Sequence, residues 1–186
     1  MAGSRGDVSR RRAGSGWWLV GFLVVTYAVA FVGALASADA GSVYRSLERP
    51  GWAPPAWLFG PVWTVLYAMI AIAAWLVVRS ASSPSPRPNG ARVRGGERHQ
   101  GREGVRPALV WWSVQLLLNL LWTPLFFGAG RYGLALLDIV LLLAAIAVTV
   151  ALFRRASRTA AFLLLPYLVW VAYAAALNAA IWRLNA

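Results

Sequence analysis

Five apolar segments dominate this chain of 186 residues and limit the folds open to it. They cover residues 17–38, 56–78, 108–128, 132–153 and 160–182. A helix needs about 20 apolar residues to cross the hydrocarbon core of a bilayer. Lipid offers the backbone no hydrogen-bond partner, so segments of this length cross it as helices. The sequence therefore predicts an all-α membrane protein, a bundle of five transmembrane helices.

The chain lacks the residues that most metal centres and many enzymes use. It contains no cysteine and one histidine, His99, which lies in a stretch rich in Arg and Gly. Disulfides and Cys-ligated metals are thereby excluded, and we predict no metal site and no obligatory cofactor. Nucleophile elbows, phosphate-binding loops and paired intramembrane carboxylates are absent from the sequence. Enzymatic activity is left open, and a non-enzymatic role is preferred.

Arginine is distributed unevenly and predicts an orientation. With five spans, fourteen of the 18 basic residues fall on the side of the N-terminus. Basic loops remain in the cytoplasm, which predicts a cytoplasmic N-terminal tail at residues 1–16 and a C-terminus outside. The net charge of +12 is thus a topology signal, and we expect no nucleic-acid partner. Arginine without lysine suggests a GC-rich genome and hence a bacterial inner membrane.

Residues 17–186 are expected to form one membrane domain that contains a long polar loop at residues 79–107. The loop is rich in Arg, Gly, Ser and Pro, a composition typical of mobile segments. Two interpretations are open: a solvated loop that sets orientation, which we prefer, or a loop that contacts lipid headgroups or a partner.

Polar and aromatic side chains inside the spans converge at a similar depth. Gln115 and Asn119 lie four residues apart on one helix face, with Trp122 on the next turn. Such groups either join helices and form an interfacial aromatic belt, or they line a binding pocket. We favour a pocket for Trp63, Tyr67, Asn119, Trp122, Tyr167, Trp170 and Asn178. The belt is assigned to Trp17, Trp18, Trp111, Trp112 and Trp182.

Asp138 is the only acidic residue within any predicted span. An intramembrane acid marks a proton path, a cation site or a hydrogen bond between helices. No Lys or Arg lies within the spans to pair with it, and a hydrogen bond to a neighbouring helix is the preferred interpretation. Asp138 is also kept as a candidate ligand-binding residue.

Three segments resemble one family of membrane proteins. They are WAPPAWLFGPVWTVLYA at 52–68, NLLWTPLFFG at 119–128 and LLLPYLVWVAYAAALNAAIWRLN at 163–185. The chain resembles the TspO/MBR family, which includes bacterial tryptophan-rich sensory proteins and the mitochondrial translocator protein, or peripheral benzodiazepine receptor. The resemblance covers residues 17–185 and implies a five-helix bundle, often a homodimer, surrounded by membrane lipids.

The resemblance also implies a ligand and a site. Family members bind tetrapyrroles such as protoporphyrin IX and haem, and other flat hydrophobic small molecules. By matching motifs, the pocket wall corresponds to Trp63, Asn119, Trp122, Trp170 and Asn178. Its lid corresponds to Trp52, Pro54 and Pro55.

Three functions remain open on this basis. The preferred one is a tetrapyrrole-binding protein with a sensory, regulatory or transport role. The second is an enzyme that degrades porphyrin in light with the help of Trp63 and Trp170. The third is a carrier of small molecules or lipids. Cholesterol binding is left open: Tyr173 and Arg183 lie too far apart for the helix-five pattern associated with it in animal members of the family.

Overall fold

The computed structural model describes residues 5–36, 38–82 and 97–186, and side chains at 16–36, 38–81 and 104–186. The described chain forms helices and contains no strand. The helices are α1 (Arg5–Leu35), α2 (Ala40–Ser46), α3 (Phe59–Ser82), α4 (Glu97–Thr123), α5 (Tyr132–Ala156) and α6 (Arg158–Asn185). All but α2 contain an apolar stretch long enough to cross a membrane. The predicted all-α bundle of five transmembrane helices is confirmed.

Helix α4 begins earlier than the sequence predicts. It starts at Glu97, whereas the predicted span starts at residue 108. Residues 97–107 are polar, which resembles a loop, but they are rich in Glu, Arg and Gln, which are good helix formers. The predicted loop at 79–107 is therefore helical at 79–82 and 97–107, and residues 83–96 lie outside the described part.

Tight turns join the last three long helices into antiparallel neighbours. A π-helical turn, Pro124–Gly128, ends α4, and Gly130 takes a left-handed φ of 59° before α5 begins. Ser157 alone separates α5 from α6, and its side-chain oxygen accepts a hydrogen bond of 3.3 Å from the N–H of Ala160. This cap satisfies one free donor at the start of α6. Both turns hold neighbouring helices in a fixed register.

The bundle core is built from small and branched side chains that let the helices approach closely. Ile70, Ala74 and Val77 on α3 are fully buried, as are Ile146 on α5 and Phe153 near its end. Small residues permit this close packing between membrane helices. This main core extends along the bundle, and a second, smaller cluster of buried residues, which includes Phe126, Ala135 and Ile181, lies next to the cap.

The other end of the bundle is closed by residues 40–58, which we call the cap. The cap contains α2, an extended segment and a 3-10 turn, Ala56–Leu58. The hydroxyl of Tyr44 donates to the carbonyl of Pro54 at 2.9 Å, which fixes the fold of the cap. Two contacts with α6 hold it in place: the hydroxyl of Tyr173 donates to the Trp52 carbonyl, and Asn185 bonds both backbone groups of Glu48.

One tryptophan assigned to the interfacial belt is a core residue. Trp112 is 5% exposed, and its indole N–H donates to the carbonyl of Ile70 at 3.2 Å. Its belt assignment is wrong, because a position near a span end says nothing about which side of the helix faces lipid. Four other belt residues are exposed on the bundle surface: Trp17, Trp18, Trp111 and Trp182.

Candidate ligand-binding pocket

A cavity of about 500 Å³ lies below the cap, between the five long helices. Phe59, Trp63 and Tyr67 reach it from α3 and Trp122 reaches it from α4. Trp170 contributes from α6. The wall of the cavity is mainly aromatic and aliphatic. The volume of the cavity lies within the range of about 300–1,000 Å³ that is typical of small-molecule sites.

The aromatic side chains of the wall contact one another and hold their orientations. The ring centroids of Trp63 and Tyr67 are 5.3 Å apart, and Trp63 meets Tyr167 edge-on at 6.1 Å. Phe59 meets Trp170 in the same way at 6.0 Å. Offset and edge-on pairs are the favoured geometries between aromatic rings. The wall is thereby pre-organised to face flat apolar groups.

A buried hydrogen-bond relay crosses three helices beside the cavity. The hydroxyl of Tyr67 donates to the side-chain oxygen of Asn119 at 2.7 Å. The amide nitrogen of Asn119 donates in turn to the hydroxyl of Tyr167 at 3.3 Å. Buried polar groups need such partners, since leaving one unpaired costs about 1–3 kcal/mol. The relay joins α3, α4 and α6 and fixes the inner wall of the cavity.

A second polar contact fixes Trp122. Its indole N–H donates to the side-chain oxygen of Asn178 at 3.1 Å, and the amide of Asn178 donates to the carbonyl of Tyr132 at 2.9 Å. The Trp122 ring also stacks on Phe126, with centroids 5.0 Å apart. Trp122 therefore presents a fixed ring to the cavity, with its N–H already bonded.

The cavity wall carries no formal charge among the described residues that line it. Its polar atoms belong to amide, hydroxyl and indole groups. The indole N–H of Trp170 is buried and has no hydrogen-bond partner within the described part of the chain. The wall is therefore suited to the flat, apolar part of a ligand.

The structure separates the predicted site residues into four groups. Trp63, Tyr67, Asn119, Trp122 and Trp170 line the cavity. Tyr167 and Asn178 are buried behind the wall and bond to residues that line it. Trp52, Pro54 and Pro55 lie in the cap without lining the cavity, and Asp138 lies outside the cavity on α5. For all four groups, the assignment as ligand-binding residues stays a prediction.

Asp138 does not form the interhelical hydrogen bond that the sequence favours. It is 5% exposed, and one carboxylate oxygen is buried without a partner in the described part of the chain. Asn178 and Asn119 on the neighbouring helices bond to Trp122 and to two tyrosines, and neither donates to Asp138. The expectation of a bond from α5 is therefore wrong for this structure.

Sequence reasoning missed the contribution of α1. Tyr27, Ala30, Gly33 and Ala34 all line the cavity. Ala30, Gly33 and Ala34 follow Tyr27 by three, six and seven residues, which places all four on one helix face. This spacing of small residues after a tyrosine was the available signal. The search for deep polar and aromatic groups passed over them, because alanine and glycine carry no chemistry of their own.

Comparison with known proteins decides the family. A model of the TspO/MBR family matches residues 22–183. The chain belongs to the TspO/MBR family. It is similar to protein CrtK of Rhodobacter capsulatus, with 34% identity over 86% of this chain and 92% of that protein. It is also similar to the tryptophan-rich protein TspO of Chlorobaculum tepidum, with 38% identity over 85% of this chain and 89% of that protein.

A eukaryotic relative shows how widely this TspO/MBR sequence pattern extends. The human translocator protein is 36% identical over 76% of this chain and 74% of that protein. Family membership and five apolar helices together make this chain an integral, multi-pass membrane protein. The relatives carry sensory and translocator names, and these names describe those proteins.

Proposed function

We propose that the cavity binds a tetrapyrrole such as protoporphyrin IX or haem, or a similar flat hydrophobic molecule, in a sensory, regulatory or transport role. The observation that carries this proposal is the uncharged wall formed by Trp63, Trp122 and Trp170. Aromatic faces stack favourably on flat conjugated rings. Asn119 and Tyr67 form a polar edge of this wall and are held in place by their mutual hydrogen bond.

Titration of the purified protein with protoporphyrin IX tests the proposal. Binding brings the ligand against the wall tryptophans, so we expect quenching of their fluorescence with a saturable midpoint. The Trp63→Ala, Trp170→Ala double variant removes two indole rings from the cavity wall. It is expected to bind protoporphyrin IX at least about tenfold more weakly than the unmodified protein. Unchanged affinity in that variant would refute the site.

The matched control is the Trp17→Ala, Trp111→Ala double variant. It removes the same number of indoles from exposed positions outside the cavity. Its fluorescence is lower from the start, but its binding midpoint is expected to equal that of the unmodified protein. Equal weakening in both variants would mean that porphyrin associates with surface tryptophans.

A light-dependent degradation of bound porphyrin is the second candidate. Trp63 and Trp170 both line the cavity, where an excited ligand would contact them. Illumination of the complex in air is then expected to bleach the main porphyrin absorption band faster than porphyrin in detergent alone. Equal rates for the unmodified protein and the Trp63→Ala, Trp170→Ala variant would reject this activity.

A proton-coupled carrier function receives less support from the geometry. Asp138 is the intramembrane acid that such a carrier would use, and it does not line the cavity. Uptake of porphyrin into liposomes under a pH gradient is therefore expected to be the same for the unmodified protein and an Asp138→Asn variant. Loss of gradient-driven uptake in that variant would instead favour the carrier.

We also propose a bacterial inner-membrane location, with the N-terminus in the cytoplasm and the cap outside. The excess of arginine on the side opposite the cap supports this orientation. A homodimer is proposed from the resemblance to the family. Labelling of single cysteines introduced at Ser42 and at Thr159 with an impermeant reagent tests orientation, since only the Ser42 position should react from outside. Crosslinking in native membranes tests the dimer.

A further inference from the structure

Three arginines cluster where α5 ends and α6 begins. Arg154 and Arg155 lie in the last turn of α5, and Arg158 is the first residue of α6. Together with Ala151 they surround an open surface depression of about 370 Å³, well away from the cap. We call Arg154, Arg155 and Arg158 the arginine triad.

The arginine triad is exposed and has no acidic neighbour in the described part of the chain. All three side chains lie on the surface, and none forms an ion pair with a described residue. The acids with described side chains outside the bundle interior are Asp39 and Glu48, which lie at the cap end. The triad thus concentrates three positive charges that the described protein leaves uncompensated.

The position of the arginine triad along the helices matches the headgroup level of a bilayer. Arg154 lies twenty-two residues after the start of α5 at Tyr132. At about 1.5 Å per residue this places it roughly 33 Å along the helix, just beyond a hydrocarbon core of about 30 Å. The guanidinium groups therefore reach the layer that contains lipid phosphates.

Apolar side chains continue from the arginine triad toward the membrane interior. Phe162 follows Arg158 by one helical turn and is 68% exposed, and Leu165 extends the same face. On α5, Val148 is exposed on the face that carries Ala151 and Arg155. A molecule with an anionic head and apolar tails would contact both parts of this surface.

We infer that the arginine triad is a binding site for an anionic phospholipid of the membrane, with its phosphate in the depression and its acyl chains along Phe162 and Val148. Guanidinium groups bind phosphate through paired N–H donors, which makes arginine a strong phosphate ligand. The negative end of the α5 dipole and the positive end of the α6 dipole meet here, so the attraction for phosphate comes from the guanidinium groups themselves. This site is independent of the cavity below the cap.

Native mass spectrometry of the full-length protein with added lipid tests this inference. The probes are dioleoyl phosphatidylglycerol, which is anionic, and dioleoyl phosphatidylcholine, which is zwitterionic. We expect the unmodified protein to retain phosphatidylglycerol at about tenfold lower concentration, given the attraction of several basic residues to anionic lipid. The Arg154→Gln, Arg155→Gln, Arg158→Gln variant is expected to lose this preference.

Two controls separate a site from a general charge effect. The Arg45→Gln, Arg131→Gln, Arg183→Gln variant loses the same charge from exposed positions at the cap end and is expected to keep the preference. Arg106→Gln removes one exposed arginine of α4 at the same end as the triad and is compared with Arg158→Gln alone. Only Arg158→Gln is expected to weaken phosphatidylglycerol binding, by about threefold to fivefold.

Several outcomes would overturn the inference. One is equal retention of the two lipids by the unmodified protein, and another is equal loss in the triad variant and its cap-end control. If inorganic phosphate at millimolar concentration displaces the lipid completely, the depression is a site for free phosphate instead. Should the triple variant not purify, the comparison of Arg158→Gln with Arg106→Gln decides alone.

Discussion

The hydroxyl of Tyr67 lies 2.7 Å from the side-chain oxygen of Asn119, and this contact joins α3 to α4 at the cavity wall. Asn119 is also the donor to Tyr167, so one amide serves two tyrosines on two other helices. The stability of the bundle and the shape of the cavity therefore depend on the same side chain.

An Asn119→Leu substitution is expected to destabilise the bundle more than Tyr67→Phe. The leucine leaves two tyrosine hydroxyls without their partner, whereas the phenylalanine removes a single hydrogen bond. We expect a loss of about 2–3 kcal/mol for Asn119→Leu and about 1 kcal/mol for Tyr67→Phe, which leaves only the side-chain oxygen of Asn119 unpaired. Denaturation in detergent measures both, and a smaller effect for Asn119→Leu would show that the relay is not stabilising.

The neighbouring residues Trp111 and Trp112 provide a second test. Trp112→Phe removes a buried N–H donor and leaves the carbonyl of Ile70 without that bond, so we expect a loss of about 1–3 kcal/mol. Trp111 is on the exposed side of α4, and Trp111→Phe is expected to change stability by less than about 0.5 kcal/mol. Thermal denaturation of the two variants in the same detergent makes the comparison, and equal losses would contradict it.

Gly130 and Gly21 are expected to respond to alanine in opposite directions. Gly130 has a φ of +59°, and a Cβ there meets no other atom, so Gly130→Ala costs only the left-handed conformation, about 1–2 kcal/mol. Gly21 lies inside α1 with open space around it, and alanine there gains about 0.5–1 kcal/mol of helix propensity. Opposite shifts in unfolding temperature are the expected result, and a stabilising Gly130→Ala would contradict the assigned turn.

The cap is expected to lose stability at alkaline pH through Tyr44. Burial raises the pKa of Tyr44 above 10.0, and the nearby Arg49 opposes this rise. The folded protein therefore favours the neutral hydroxyl, which donates to the Pro54 carbonyl. This contribution is complete below about pH 10 and is lost as the pH rises through the raised pKa.

Calorimetry of the unmodified protein and a Tyr44→Phe variant between pH 8 and about pH 11.5 measures this effect. All other groups are the same in both proteins, so the difference between the two curves isolates Tyr44. The difference is expected to shrink as pH increases. A constant difference across this range would show that the hydroxyl bond does not contribute.

Long apolar segments made the five spans predictable, because their length alone forces a helix in lipid. The aromatic wall was also within reach, since Trp63, Trp122 and Trp170 are too deep in their spans for an interfacial belt. The contribution of α1 to the cavity wall was not predictable, because small residues such as Ala30 and Gly33 occur both at contacts between helices and at cavity walls. The assignment of Trp112 to the interfacial belt was wrong for a related reason: depth along a helix does not determine which face of the helix is buried.

The contacts that hold the cap connect distant parts of the chain. The bond between Tyr173 and Trp52 spans 121 residues, and that between Asn185 and Glu48 spans 137. A chain synthesised from its N-terminus therefore exposes the cap segment long before its anchors exist. Because these anchors lie on α6, we expect the cap to close the cavity only after α6 has been synthesised and packed.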